Sequence, residues 1–473
     1  MIASGMSWQM SIGAIAAGNI LISWIMIGNG TVGASLHTSF AVTARGSFGF
    51  WLSYFCVVSR LVLATVWFGV NSYSGALGMY QMFRGLWPSI EHMENHIPES
   101  QGITSSVMLA YFVYFICQTL LAMVSPARLR YAFLIKTIIG PATGFAMMGY
   151  YIHKSGFALY GGSSTITGST LAYLWLSSMN SSAGSYSTLS VNIADFTRYA
   201  KRPSQQYIQV LVIPISFIFF AWMGIAIASG AQVVNGGDIQ FNVVQIIGSW
   251  ENRAATFFAG FAFMYSMLCQ NISANSLSAA NDWCCLFPKY LNIKRGAFLT
   301  SLLGCWAMAP WKVLASADSF LSFMGGYVIF MAPIAGIMLS DYYLIKGRKV
   351  DIPALYDSRG RYRYNKYGVN WRALVTLLIS VGPLMPGFCN SINNSIPLIK
   401  GMRDFYTVAW LYGTASSLII YTGLSKIFPP TETFVPHMIR DYDDEAYRGT
   451  SSQTPSIEDD EKKLEGDTGV IMV

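Results

Sequence analysis

Three short stretches hold the side chains that could recognise a small molecule. Trp67 and Asn71 are four residues apart and so share one helical face, and Arg60, seven residues before Trp67, continues that stripe. An indole stacks on a flat ring, and a carboxamide both donates and accepts along a ring's edge. For Trp67 and Asn71 a cavity wall is the favoured reading. For Arg60 it is an interhelical clamp that caps neighbouring carbonyls. Asn271, Asn275, Ser278 and Asp282 fall on a second helical face. There the two carboxamides, one turn apart, point modestly to a site rather than to hydrogen-bond glue between helices. The third stretch runs from Asn180 to Thr188 and includes Gly184, Ser185 and Tyr186. Its polar, glycine-containing composition in mid-membrane predicts a broken helix whose free N–H and C=O groups face a substrate; close packing of small residues is an even alternative. The chemistry that such groups offer is reversible stacking on a flat ring and hydrogen bonding to its edge.

Bond-making machinery is missing from the sequence. His37, His92, His96, His153 and His437 fall in loops or flanks, and no HExxH, GxSxG or phosphate-binding glycine loop occurs. His92 and His96 are four apart without a third ligand. The seven cysteines form no CxxC pair, which argues against a zinc site or a disulfide framework. The reading is therefore not an enzyme, with no cofactor and no metal.

The elements that must position these residues are membrane helices. The 473-residue chain is 53% hydrophobic and 11% charged, and its first acidic residue is Glu91. Ordinary globular chains carry roughly 25% charged residues. Eleven spans are expected, at about 10–27, 54–74, 107–124, 131–152, 171–191, 207–229, 255–277, 297–311, 320–339, 373–388 and 405–424. No Asp or Glu falls inside them; Asp195 and Asp282 are expected at the cytosolic rim. With the C-terminus inside, the loops on one side carry 18 Lys and Arg and those on the other carry 6. That bias predicts a cytosolic C-terminus. It also explains the net charge of +7 without nucleic acid as a partner. Residues 1–430 read as one transmembrane domain and 431–473 as a disordered acidic cytosolic tail. On that tail Lys462 and Lys463 are candidate ubiquitin acceptors, with solvated charge the plainer reading.

Taken together, several ordered motifs resemble the nucleobase:cation symporter-1 family, in its fungal uracil, allantoin, uridine and thiamine permease branch. They are Gly5-Met6-Ser7-Trp8-Gln9, Gly33-Ala34 with His37 and Phe40, Ala44-Arg45-Gly46-Ser47-Phe48-Gly49, Val66-Trp67-Phe68-Gly69-Val70-Asn71, Asn192 to Lys201, Asn271 to Asn275 with Asn281-Asp282, Phe287-Pro288-Lys289-Tyr290 with Lys294-Arg295-Gly296, and Ser340-Asp341-Tyr342-Tyr343. The resemblance implies an all-α membrane protein with the LeuT-type inverted-repeat helical bundle, in which these eleven spans are family spans two to twelve. Gly5-Met6-Ser7-Trp8 aligns after the family's first span, which normally supplies part of the substrate and ion site.

The resemblance also implies roles. Trp67 takes the place of the ring-stacking Trp. Asn71 stands where many members have Gln, and Tyr186 where a second stacking Trp is common. Asn275 matches the substrate-binding Asn. Gly184 and Ser185 supply backbone at the break, Asn271 a secondary contact and Phe323 a gating residue. Sodium-coupled members have hydroxyl ligands where Cys269 and Gln270 align, so a proton is the expected coupling ion and sodium is disfavoured; the candidate proton carriers are the family's first span and Asp195 or Asp282. The implied function is a plasma-membrane symporter importing a nucleobase-like heterocycle such as uracil or allantoin. The alternatives are a uridine, thiamine or related permease, and a truncated non-transporting fragment or sensor.

Overall fold

A computed structural model describes residues 1, 5–156, 164, 166–236, 240, 242–316, 326–393 and 395–440. Those residues form helices joined by short turns, and their one β feature is an isolated parallel bridge between Asp351 and Ile439. The helices are α1 (Trp8–Leu36), α2 (Phe40–Phe48), α3 (Ser53–Leu86), α4 (Ser105–Ala122), α5 (Pro126–Ser155), α6 (Gly168–Gly184), α7 (Ser187–Asn192), α8 (Ala194–Thr197), α9 (Gln209–Asn235) and α10 (Val243–Gly248). They continue with α11 (Arg253–Asn271), α12 (Leu277–Leu286), α13 (Ile293–Leu302), α14 (Pro310–Ser316), α15 (Val328–Leu339), α16 (Trp371–Val381), α17 (Met385–Ile392), α18 (Lys400–Tyr406) and α19 (Ala409–Ile427).

Among the described residues, seven helical segments are individually long and apolar enough to cross a bilayer: Trp8–Leu36, Ser53–Leu86, Glu99–Ala122, Arg128–Ser155, Pro203–Asn235, Val328–Ile345 and Trp371–Ile392. The expected spans at 171–191, 255–277, 297–311 and 405–424 are also helical, but they carry the breaks, π turns and polar residues that a substrate-handling bundle uses. With 34 residues, α3 is about 50 Å long, longer than the roughly 30 Å hydrocarbon core it must cross.

Small residues set how closely the helices approach, as lipid-embedded packing requires. A Cβ at Gly69 on α3 would collide with the Gly304 carbonyl, so the two backbones touch. Gly18 on α1 meets the Met179 carbonyl of α6 in the same way, and Gly33 meets Ala194 of α8. These contacts fix α1 along the broken helix and α3 against the turn after α13.

Among the described residues, three π turns interrupt the helices. Ile272–Ser276 joins α11 to α12, Leu303–Ala307 follows α13, and Ser340–Ile345 follows α15. The first ten residues of the expected tail, 431–440, run as an ordered strap. Ile439 is fully buried, accepts from the Ile352 N–H at 3.0 Å and donates to the Val350 carbonyl at 3.1 Å. The remainder of that tail, with Lys462 and Lys463, lies outside the described residues, as does Phe323.

Candidate substrate site

The predicted break falls in the expected stretch. α6 ends at Gly184, α7 begins at Ser187, and Ser185 and Tyr186 between them form a turn. Two asparagines of α1 hold the broken segment. Asn29 donates to the Ser190 carbonyl at 2.8 Å, and Asn19 donates to the Ser182 hydroxyl at 2.9 Å. From within the segment, Asn180 accepts from the Trp410 N–H of α19 at 2.7 Å. The Ser185 hydroxyl donates back to the Ser182 carbonyl at 2.7 Å, and its backbone N–H donates to the Ser181 carbonyl at 3.0 Å.

Trp67 and Tyr186 are both half-buried and border the same apolar core, which contains Val66, Val70, Ala183 and Val328. Gly184 stands against Val328, where a Cβ would lie 3.4 Å from its side chain. The Tyr186 ring meets Phe217 of α9 edge-on, with centroids 4.8 Å apart. Asn71 is half-buried one turn beyond Trp67 on α3.

Asn271 caps the first π turn and Asn275 lies within it, a device frequent at functional sites because it displaces side chains from the regular helical stripe. They divide the work. Asn271 is fully buried, and its Nδ2 faces the Phe68 carbonyl at 2.9 Å, Ser72 Oγ at 3.1 Å and Gln118 Oε1 at 3.1 Å. Asn275 is half-buried and donates to Asn271 Oδ1 at 2.8 Å, which leaves its own oxygen and a second N–H uncommitted among the described hydrogen bonds. Asn271 thus sits behind Asn275 and holds it. Gln118 of α4 completes the network by donating to Ser72 Oγ at 2.7 Å. Sequence reasoning did not single it out, although it is the one carboxamide in the apolar run 107–124, a position that ordinarily marks function or a partner.

Arg60 is the clamp expected of it, and more. Its Nη2 donates to the Ser278 carbonyl at 2.7 Å, contacts the Asp282 carboxylate and lies 3.6 Å from Asp195 Oδ2. Asp195 and Asp282, expected at the cytosolic rim, are 3% and 0% exposed. α8 and α12 pack their carboxylates inward against α3 instead, because the guanidinium there compensates them.

A second buried cluster was not foreseen from sequence. Lys346 Nζ lies 2.6 Å from Asp341 Oδ2, which also accepts from Ser47 Oγ at 3.0 Å. Tyr421 of α19 donates to Asp341 Oδ1 at 2.8 Å. The cluster ties α2 and α19 to the π turn after α15. Burial holds the Lys346 amine below its usual range, and the Asp341 charge opposes that shift.

Among known proteins, residues 1–413 match the model of a family described as permeases for cytosine/purines, uracil, thiamine and allantoin. The chain belongs to this family, that of the nucleobase–cation symporters. An uncharacterized permease of Schizosaccharomyces pombe is 35% identical over 439 residues, which are 92% of this chain and 78% of that protein. The uracil permease of Saccharomyces cerevisiae is 29% identical and its allantoin permease 28%, each match covering 92% of this chain and 71% of the relative. The solved structure of Mhp1, a nucleobase-cation-symport-1 transporter, superposes with a TM-score of 0.70 at 20% identity, covering 90% of this chain and 88% of Mhp1. The LeuT-type helical bundle is thereby established, and this permease is a membrane transporter rather than an enzyme.

Proposed function

We propose that this permease imports a nucleobase-like heterocycle such as uracil or allantoin across the plasma membrane, with its C-terminus in the cytosol and a proton as the coupling ion. The observation that carries the reading is Asn275, presented at a π turn with three of its four hydrogen-bonding positions unspent among the described hydrogen bonds, on a helix that packs against α3, the helix of Trp67 and Asn71. In this reading Trp67 and Tyr186 hold the ring between them. Asn71, Asn275 and the backbone at Gly184 and Ser185 meet its amide and carbonyl edge. Closure on one side and opening on the other moves the ring inward. The names of the uracil and allantoin permeases among the relatives support this class of ligand. Cys269 and Gln270, standing where sodium-coupled members carry hydroxyls, support the proton.

The test is uptake of radiolabelled uracil and allantoin by this permease in yeast cells lacking their own uptake systems for both, at external pH of about 4.5, 5.5 and 7, a range over which the inward proton gradient shrinks. Saturable uptake of either compound that falls as the external pH rises is the expected result. Uptake of neither, with the protein present at the cell surface, removes the proposal.

A further inference from the structure

Arg60, Asp195 and Asp282 form a buried trio that substrate recognition leaves unused. Each element of the proposed pocket ends on one member of it. Arg60 lies two turns from Trp67 on α3, and Asp282 lies two turns from Asn275 on the α11–α12 helix, about 10 Å in each case. Asp195 follows the break at Ser185 and Tyr186 through α7 and α8.

The charges within the trio do not balance, since two carboxylates face one guanidinium. The groups packed around them are these. From α2, the Phe40 N–H donates to Asp195 Oδ1 at 2.9 Å, and the Phe40 ring lies 5.4 Å from the Arg60 guanidinium carbon. From α7, Asn192 has the orientation in which its oxygen is 2.8 Å from Arg60 Nη1 and its nitrogen 2.7 Å from the Thr188 carbonyl. Two nearby cations make hydrogen bonds elsewhere, although the Arg198 charge also acts on Asp195. Arg198 donates to Asn281 at 3.2 Å and to Tyr199 at 2.7 Å, while Arg45 donates to the Leu355 carbonyl at 3.1 Å and contacts Cys285 Sγ at 3.3 Å. Asp282 Oδ2 meets Arg60 alone, while Asp195 Oδ2 and Asp282 Oδ1 have no hydrogen-bond partner among the described residues. A surplus carboxylate in a dry interior is costly, and one proton removes the surplus.

We propose that this trio is the proton-binding site of the permease, where one of the two carboxylates takes up a proton and loses it again in each transport cycle. The assignment rests on the proton coupling proposed above. On uptake a proton from water becomes the O–H of one carboxylic acid, leaving a single carboxylate paired with Arg60. Because the trio joins α3, α8 and α12, its neutral form permits them to close together under a bound ring. On release toward the side marked by the basic loops, the surplus charge returns and favours their separation. Coupling free energies between two sites ordinarily change affinity by about 5- to 150-fold, which is the size of effect to be read.

The experiment compares wild type with Asp282→Asn and Asp195→Asn in sealed plasma-membrane vesicles, using radiolabelled uracil and allantoin. It measures accumulation driven by an acid-outside gradient and, separately, exchange of labelled for unlabelled compound at equal pH. In at least one variant accumulation is expected to fall about tenfold or more, with its dependence on pH flattened, while exchange persists. The variant that does so identifies the carboxylate that carries the proton. Two results overturn the assignment. One is wild-type accumulation and pH dependence in both variants. The other is loss of exchange together with accumulation in both, at wild-type protein levels, which makes the trio a structural clamp. If the wild type itself accumulates substrate equally well without a pH gradient, proton coupling fails first and the trio's role fails with it.

Discussion

Asn275 donates to Asn271 across one π turn at 2.8 Å, and Asn271 is itself held by Phe68, Ser72 and Gln118 on two other helices. The carboxamide proposed to read the substrate is therefore held by one that is fully buried. Truncating a buried partner leaves polar groups unsatisfied, at about 1–3 kcal/mol. Asn271→Ala should thus raise the KM for uptake by about tenfold with little change in the amount of permease at the membrane. Gln118→Leu should do the same to a smaller degree, since Ser72 and Phe68 still hold Asn271. An unchanged KM in both variants would show that the network does not position Asn275.

Trp67 is half-buried beside the core that also borders Tyr186. Stacking of a base on an aromatic side chain is worth about 1–3 kcal/mol where truncation has been measured. Trp67→Ala should weaken substrate binding by one to two powers of ten, about the same free energy expressed as a ratio. Trp67→Phe keeps a π face and should retain most of the affinity. Inhibition constants from competition uptake read both. Equal affinities in wild type and Trp67→Ala would remove this indole from the pocket.

How much of this was legible in the sequence depended on which force set each feature. The broken helix at Ser185 was readable, because polar backbone at membrane depth has few structural solutions. Arg60 was readable as a clamp, because an isolated guanidinium in a span needs partners. The burial of its partners was not. Asp195 and Asp282 stand outside every apolar run, and only tertiary packing carries them inward. The π turn at Ile272–Ser276 also left no trace, since its residues suit an ordinary helix equally well. The Asp341–Lys346 pair was hidden for a similar reason: Lys346 opens a basic loop, and its exposed neighbours give the segment a solvated character.

Gly69 and Gly304 bring α3 against the turn after α13 within two residues of both Trp67 and Asn71. A methyl group at Gly69 meets a backbone carbonyl, which cannot rotate away as a side chain can. Gly69→Ala should therefore destabilise the permease by about 1–3 kcal/mol, the usual range for overpacking. Gly423→Ala, where a Cβ meets open space, is the matched control and should fall within about 0.5 kcal/mol of wild type. Thermal unfolding of the detergent-solubilised protein distinguishes them. Equal midpoints for the two variants would mean that α3 can shift away without cost.

Asp341 compensates a fully buried Lys346 while accepting from Ser47 and Tyr421. Removing one partner of such a pair costs about 3–5 kcal/mol because the other charge stays buried. Asp341→Asn should lower the unfolding midpoint sharply, whereas Asp341→Asn combined with Lys346→Met should recover much of the loss, since no unpaired charge remains. The pH dependence has a definite sign. Burial already holds the Lys346 amine below its usual range, and loss of the opposing Asp341 charge lowers it further. At pH values between the lowered folded pKa and the ordinary lysine value, the unfolded chain binds more protons than the folded one, so stability rises with pH there. The deficit of Asp341→Asn should accordingly shrink as the solution is made alkaline, and the double variant should lack that trend. A deficit constant across the alkaline range would assign the loss to the Ser47 and Tyr421 hydrogen bonds instead of to the stranded amine.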